Sequence, residues 1–115
     1  MFLPHVNNVK VPEDKVRKYL LSSTHPMGKG KAALFIRFGF TAEKWQELAA
    51  ELESHARENP VANISSTEYG VRYVIDGLLR TPNNSALNIR GVWFITRGIE
   101  VPRFVTAHPL KRIAK

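Results

Sequence analysis

The dipeptide Asn59-Pro60 separates two rhythms in this chain. Before it, apolar residues recur three and four apart: Val16, Tyr19 and Leu20, then Trp45, Leu48, Ala49, Leu52 and Ala56. Each set falls on one side of a helix of 3.6 residues per turn. After it, Val71, Tyr73 and Ile75 alternate with Arg72, Val74 and Asp76, the two-residue rhythm of a strand. Helices that come first and strands that follow, joined by short turns, predict an α+β fold with an antiparallel sheet carrying the helices on one face.

Local signals set the expected boundaries. Pro12 suits a first helical position, and Glu13 and Asp14 favour the positive end of a helix dipole. Ser22 to Gly30 reads as a loop. Lys31 to Phe38 predicts a short second helix stopped by Gly39, and Thr41 is placed to cap a third. In that third helix His55 is expected at the border of the apolar stripe. Three or four strands are expected: around Val71 to Asp76, Ile89 to Thr96 and Arg103 to Ala107, with Val61 to Ser66 as the optional short one. The strand from Ile89 to Thr96 is apolar on both faces through Val92, Trp93, Phe94 and Ile95, which places it inside the sheet. At 115 residues the chain supports one core and one domain, residues 1–115.

Charge narrows the function. Seventeen Lys and Arg against ten Asp and Glu give +7. Residues 1–40 carry seven basic and two acidic groups, 41–60 two and five, and 61–115 eight and three. A positive surface interrupted by one acidic helix favours a polyanionic partner, most simply nucleic acid. No apolar run approaches the ~20 residues of a membrane helix, and the first residues do not read as a signal peptide. The absence of cysteine excludes a disulfide framework and a thiolate metal site. It suits a reducing cytoplasm.

Several site types are excluded. Gly28-Lys29-Gly30-Lys31 lacks the spacing of a P-loop. No Gly-x-Ser-x-Gly occurs. His5, His25, His55 and His108 are far apart, without the helical spacing of a metal site, and acids are few outside the third helix. The remaining set consists of imidazoles, cations and a hydroxyl. His25, Lys29 and Lys31 flank the loop before the second helix. Arg72, Arg90 and Arg103 lie on strands. Thr106 and His108, two apart on the last strand, share a face.

Those groups match metal-free RNA cleavage, in which a 2′-OH loses a proton, the 5′-oxygen gains one, and charge on the phosphorane must be held. Imidazoles or lysine move protons, worth about 10²–10⁴-fold, and cations hold charge where it develops. The candidate catalytic set is therefore His25, Lys31, Arg72, Thr106 and His108, with Lys29, Arg90 and Arg103 as nucleic-acid contacts and no cofactor or metal. Each has a plainer reading. His25 can cap a helix through its ring, Lys31 and Lys29 can be solvated charges, Arg72 a solvent-face residue, Thr106 an ordinary strand former, and His108 the last residue before Pro109. The whole chain could also be a basic module that binds RNA or DNA without cutting.

The stretches "YLLSSTHPMGKGKAALFIRFGF", "YGVRYVIDGLLRTP" and "VWFITRGIEVPRFVTAHPL" together resemble a family of small bacterial toxin-like proteins, across roughly Val11 to Leu110. These occur alone and as C-terminal domains of larger toxin-like chains. That family is in turn remotely similar to the barnase–EndoU–colicin–RelE group of metal-independent ribonucleases. The resemblance implies helices followed by an antiparallel sheet, and a toxin acting on tRNA or mRNA. It also implies an acidic antitoxin or immunity protein as partner, so a protein-interaction role within such a pair is a further alternative. His25, Lys31, Arg72 and Thr106 fall at the positions it would carry over. Where this chain has His108, the family more often shows an aromatic residue.

Overall fold

The computed structural model describes residues 1–22 and 29–110. A 3₁₀ turn at Val6–Asn8 precedes α1 (Glu13–Lys15), which runs on into a π-helical stretch, Val16–Leu20. Pro12 stands at the N-cap, one residue before the first helical position expected for it, because its extended ψ of 152° keeps it outside the helix. The widening to π geometry is visible in the bond from Leu21 N–H to the Val16 carbonyl, 2.8 Å long and five residues back. Next come α2 (Lys29–Arg37) and α3 (Trp45–Glu58). Gly39, with φ of 106°, ends α2 by a turn that a side chain would oppose. Thr41 Oγ1 accepts the Lys44 N–H at 3.2 Å, so it caps a preliminary turn, and α3 proper starts at Trp45.

The strands are β1 (Val61–Thr67), β2 (Gly70–Arg80), β3 (Ala86–Thr96) and β4 (Arg103–Pro109). They form one antiparallel meander in the order β1-β2-β3-β4, with β3 inside the sheet as its apolar composition requires. The fold is α+β, three helices packed with a four-stranded antiparallel sheet.

Strand parity assigns two faces. Tyr73, Ile75, Leu79, Ile89, Trp93 and Phe104 point toward the helices and join Val16, Leu20, Phe35, Phe40, Leu48, Leu52 and Ala56 in one buried cluster. Trp93 and Phe104 meet edge to face, 5.2 Å between centroids. The stripe of α3 includes His55, which is 2 % exposed and not at the border. Two strand glycines make the room. A side chain at Gly77 would collide with Asn59, which donates to the His55 carbonyl at 2.9 Å, and Gly91 faces the His55 ring. His55 Nε2 lies 3.2 Å from the Gly77 carbonyl oxygen. Arg80 ties the end of β2 to α3 through Glu51 and Glu58, with contacts of 3.1 Å to each. Among the described residues no helix is long and apolar enough to cross a membrane.

Candidate functional site

The face turned away from α3 is built from the other parity of the same strands. Pairing register arranges it in three ranks. Arg72 stands opposite Phe94, and Phe94 opposite Arg103. Val74 stands opposite Val92, and Val92 opposite Thr106. Asp76 stands opposite Arg90, and Arg90 opposite His108. Neighbours within a rank are one strand spacing apart, ~4.8 Å, and ranks are ~7 Å apart. Five residues named from the sequence therefore share one surface: Arg72, Arg90, Arg103, Thr106 and His108.

The middle rank is an apolar floor. Val74 and Val92 are buried, yet neither belongs to the cluster under the helices. Polar groups set around such a floor act in a lower effective dielectric than in bulk water. Arg72 is exposed and forms no ion pair among the described residues. The Arg103 guanidinium stacks over Phe94, 5.7 Å from the ring centroid. Arg90 is differently occupied. Its Nε and Nη2 donate to the two Asp76 carboxylate oxygens at 2.8 and 3.0 Å. Those bonds hold the Asp76 carboxyl below its ordinary range, with the charges of Arg90, His55 and His108 adding to the effect against partial burial. The same pairing raises Arg90. Its fork is thus already committed to a carboxylate, and among the described residues Arg72 and Arg103 are the cations of this face that carry no such partner.

Thr106 is held from the side by the π-helical stretch that follows α1. The Tyr19 hydroxyl and Thr106 Oγ1 share a hydrogen bond of 2.9 Å. Lys15 Nζ donates to the Val105 carbonyl at 3.3 Å and lies 5.8 Å from the Tyr19 ring centroid. The contact is made where the register between β3 and β4 shifts after Val92, between the partners Phe104 and Thr106, and such a bulge re-aims the side chains beside it. Sequence periodicity reads Tyr19 only as part of an apolar face. Its hydroxyl was the available signal, because a half-buried tyrosine normally finds a polar partner. His25 lies outside the described residues, as do the side chains of Lys29 and Lys31, whose backbone opens α2.

Comparison with known proteins adds a family and a fold. A family model described as a domain of unknown function, DUF6883, matches residues 2–111. The chain belongs to this family. No curated protein matches the DUF6883 chain in sequence. Among solved structures it is similar to a chain of a contact-dependent growth inhibition toxin–immunity protein complex from Klebsiella pneumoniae 342. The TM-score is 0.73 at 16 % identity, over 94 % of this chain and 98 % of that one. At that identity the likeness is one of fold.

Proposed function

We propose that this DUF6883 protein is a toxin-type, metal-independent endoribonuclease whose substrate lies across the far face of the sheet. The observation that carries the reading is the shared rank structure of Arg72, Thr106 and His108 around the Val74–Val92 floor. In this reading Arg72 and Arg103 take phosphates, Thr106, fixed by Tyr19, orients the scissile one, and His108 moves a proton. His25 and Lys31 are the further proton carrier and cation expected from the sequence. The 2′-OH attacks the phosphorus, the P–O5′ bond breaks, and the products are a 2′,3′-cyclic phosphate and a 5′-hydroxyl. Charge at the phosphorane is met by guanidinium groups, which is commonly the larger part of the catalysis. The fold shared with a chain from a toxin–immunity complex supports a toxin role and an inhibitor as protein partner, and the net charge of +7 favours RNA and an acidic inhibitor.

The test is to incubate pure protein with total tRNA in EDTA, and with translating ribosomes in their magnesium buffer. Expected are discrete cuts with cyclic-phosphate ends, reduced by His25→Ala and His108→Ala. RNA left intact while binding with steep salt dependence would instead make the chain a non-cutting module.

A further inference from the structure

The two edges of the sheet are finished differently. On β4, Lys10 forms a parallel bridge to Arg103, Lys15 donates to the Val105 carbonyl, and Pro102 and Pro109 bound the strand. A register shift twists it as well. Natural sheets blunt free edges with such lysines, prolines and bulges. On β1 the Val61 N–H is taken by the Met1 carbonyl at 2.7 Å and a register shift follows, but these devices end at Asn63. From Asn63 to Thr67 the strand has no charge and no proline, all five residues are exposed, and no backbone hydrogen bond outside the sheet reaches them among the described residues. A strand edge left so is a template for another strand.

We propose that this edge pairs antiparallel with β1 of a second copy, about a two-fold axis near Ser65. The arrangement of exposed apolar groups along the strand favours a copy over an unrelated partner. At one end stand Met1 and Phe2, 65 % and 51 % exposed; Ile64 at 47 % is central; Tyr69 at 70 % closes the other end. Beside Tyr69 an open hollow of about 250 Å³ is lined by Ser66, Thr67, Val71, Ile95, Arg97 and Ile99. A two-fold reverses the strand, so it sets Met1 and Phe2 of each copy against the Tyr69 end and hollow of the other, and Ile64 beside Ser66. An isologous interface needs this self-complementarity. Charge agrees. A chain of net charge +7 pairs with itself most readily along a strand without cations, and β1 carries none. Arg97 lines the hollow at the end of the seam, and Arg72 stands opposite Ser65 in β2. The two Arg72 residues would lie about three strand spacings apart, ~14 Å, beyond the ~8 Å screening length at physiological salt. The pairing does not depend on the nuclease reading.

Sedimentation of the full chain, freed of RNA by nuclease and high-salt washing, tests it between about 1 and 300 µM. A concentration-dependent dimer is expected. In it the amides of residues 63–67 gain protection from hydrogen exchange as concentration rises. Ile64→Lys and Tyr69→Ser, both at exposed positions, should weaken self-association at least tenfold while circular dichroism stays unchanged. A monomer throughout the range would overturn the proposal. So would a dimer indifferent to both substitutions, or one in which residues 63–67 stay unprotected.

Discussion

Val92 and Trp93 are neighbours in β3, face opposite ways, and are each 1 % exposed. Their surroundings differ completely. Trp93 sits among Phe104, Ile75 and the apolar stripe of α3. Val92 sits between Val74 and Thr106, with Arg72 and Arg103 on one side and Asp76, Arg90 and His108 on the other. One sheet thus presents a face that holds the fold together and a face that keeps charge and hydroxyls around a small apolar floor. Alternation along a strand makes such a division available at no extra length, because substitutions on one parity leave the other in place.

The comparison predicts unequal consequences. Trp93→Ala removes the largest fully buried side chain and should cost about 3–5 kcal/mol in urea-monitored unfolding. A loss below ~1 kcal/mol would show that the covered face is not the stabilising one. Arg72→Ala, on the far face, should leave the urea midpoint within the ~0.5 kcal/mol usual for a surface change. Cleavage of tRNA by that variant should fall by about 10²-fold, the scale of losing one group that meets developing charge. Retained cleavage would remove Arg72 from the site and leave the far face as a binding surface.

The division was partly legible in the sequence. Helix and strand rhythms change at Asn59-Pro60, so element order, the α+β class and the internal place of β3 follow from spacing alone. Thr106 and His108 could be put on one face because a separation of two needs no partner strand. Joining them to Arg72 depends on register, which the two-residue connection between Thr67 and Gly70 and the longer one after Arg80 determine together. Register also decides that Asp76 meets Arg90, so a cation expected to contact nucleic acid turns out to be held by a carboxylate. His55 was misjudged for another reason. Its burial depends on Gly77 and Gly91, which are distant in sequence and leave the space its ring occupies. The Tyr19–Thr106 bond joins residues 87 apart and has no local signature.

His55 gives the covered face a pH dependence of its own. Burial is the main cause that lowers its pKa, and the backbone at Gly77 and Ile89 with the charges of Asp76 and Glu58 offsets only part of it. The unfolded chain therefore takes up a proton near pH 6.5 while the folded chain does not. Stability is full above pH 6.5 and falls as pH drops from there toward the folded pKa. His55→Asn should flatten that portion of the urea-midpoint profile against pH. An unchanged slope would assign it to the other histidines.

The smallest effect expected lies where charge is already balanced. Asp76→Asn removes the carboxylate that holds Arg90, but the pair is partly solvated, with side chains 30 % and 41 % exposed. Solvent screens such a pair, so the loss should be about 1 kcal/mol or less. The consequence for binding runs the other way. Arg90 regains a free guanidinium beside His108, and the carboxylate that repels phosphate is gone. RNA affinity should rise, and the dependence of log K on log salt should steepen by about one phosphate contact, a slope change of ~0.7 for single-stranded RNA. If affinity stays constant, the substrate path runs along the Arg72–Phe94–Arg103 rank and ends before the Asp76–Arg90–His108 rank. His108 would then be a neighbour of the site and not a member of it.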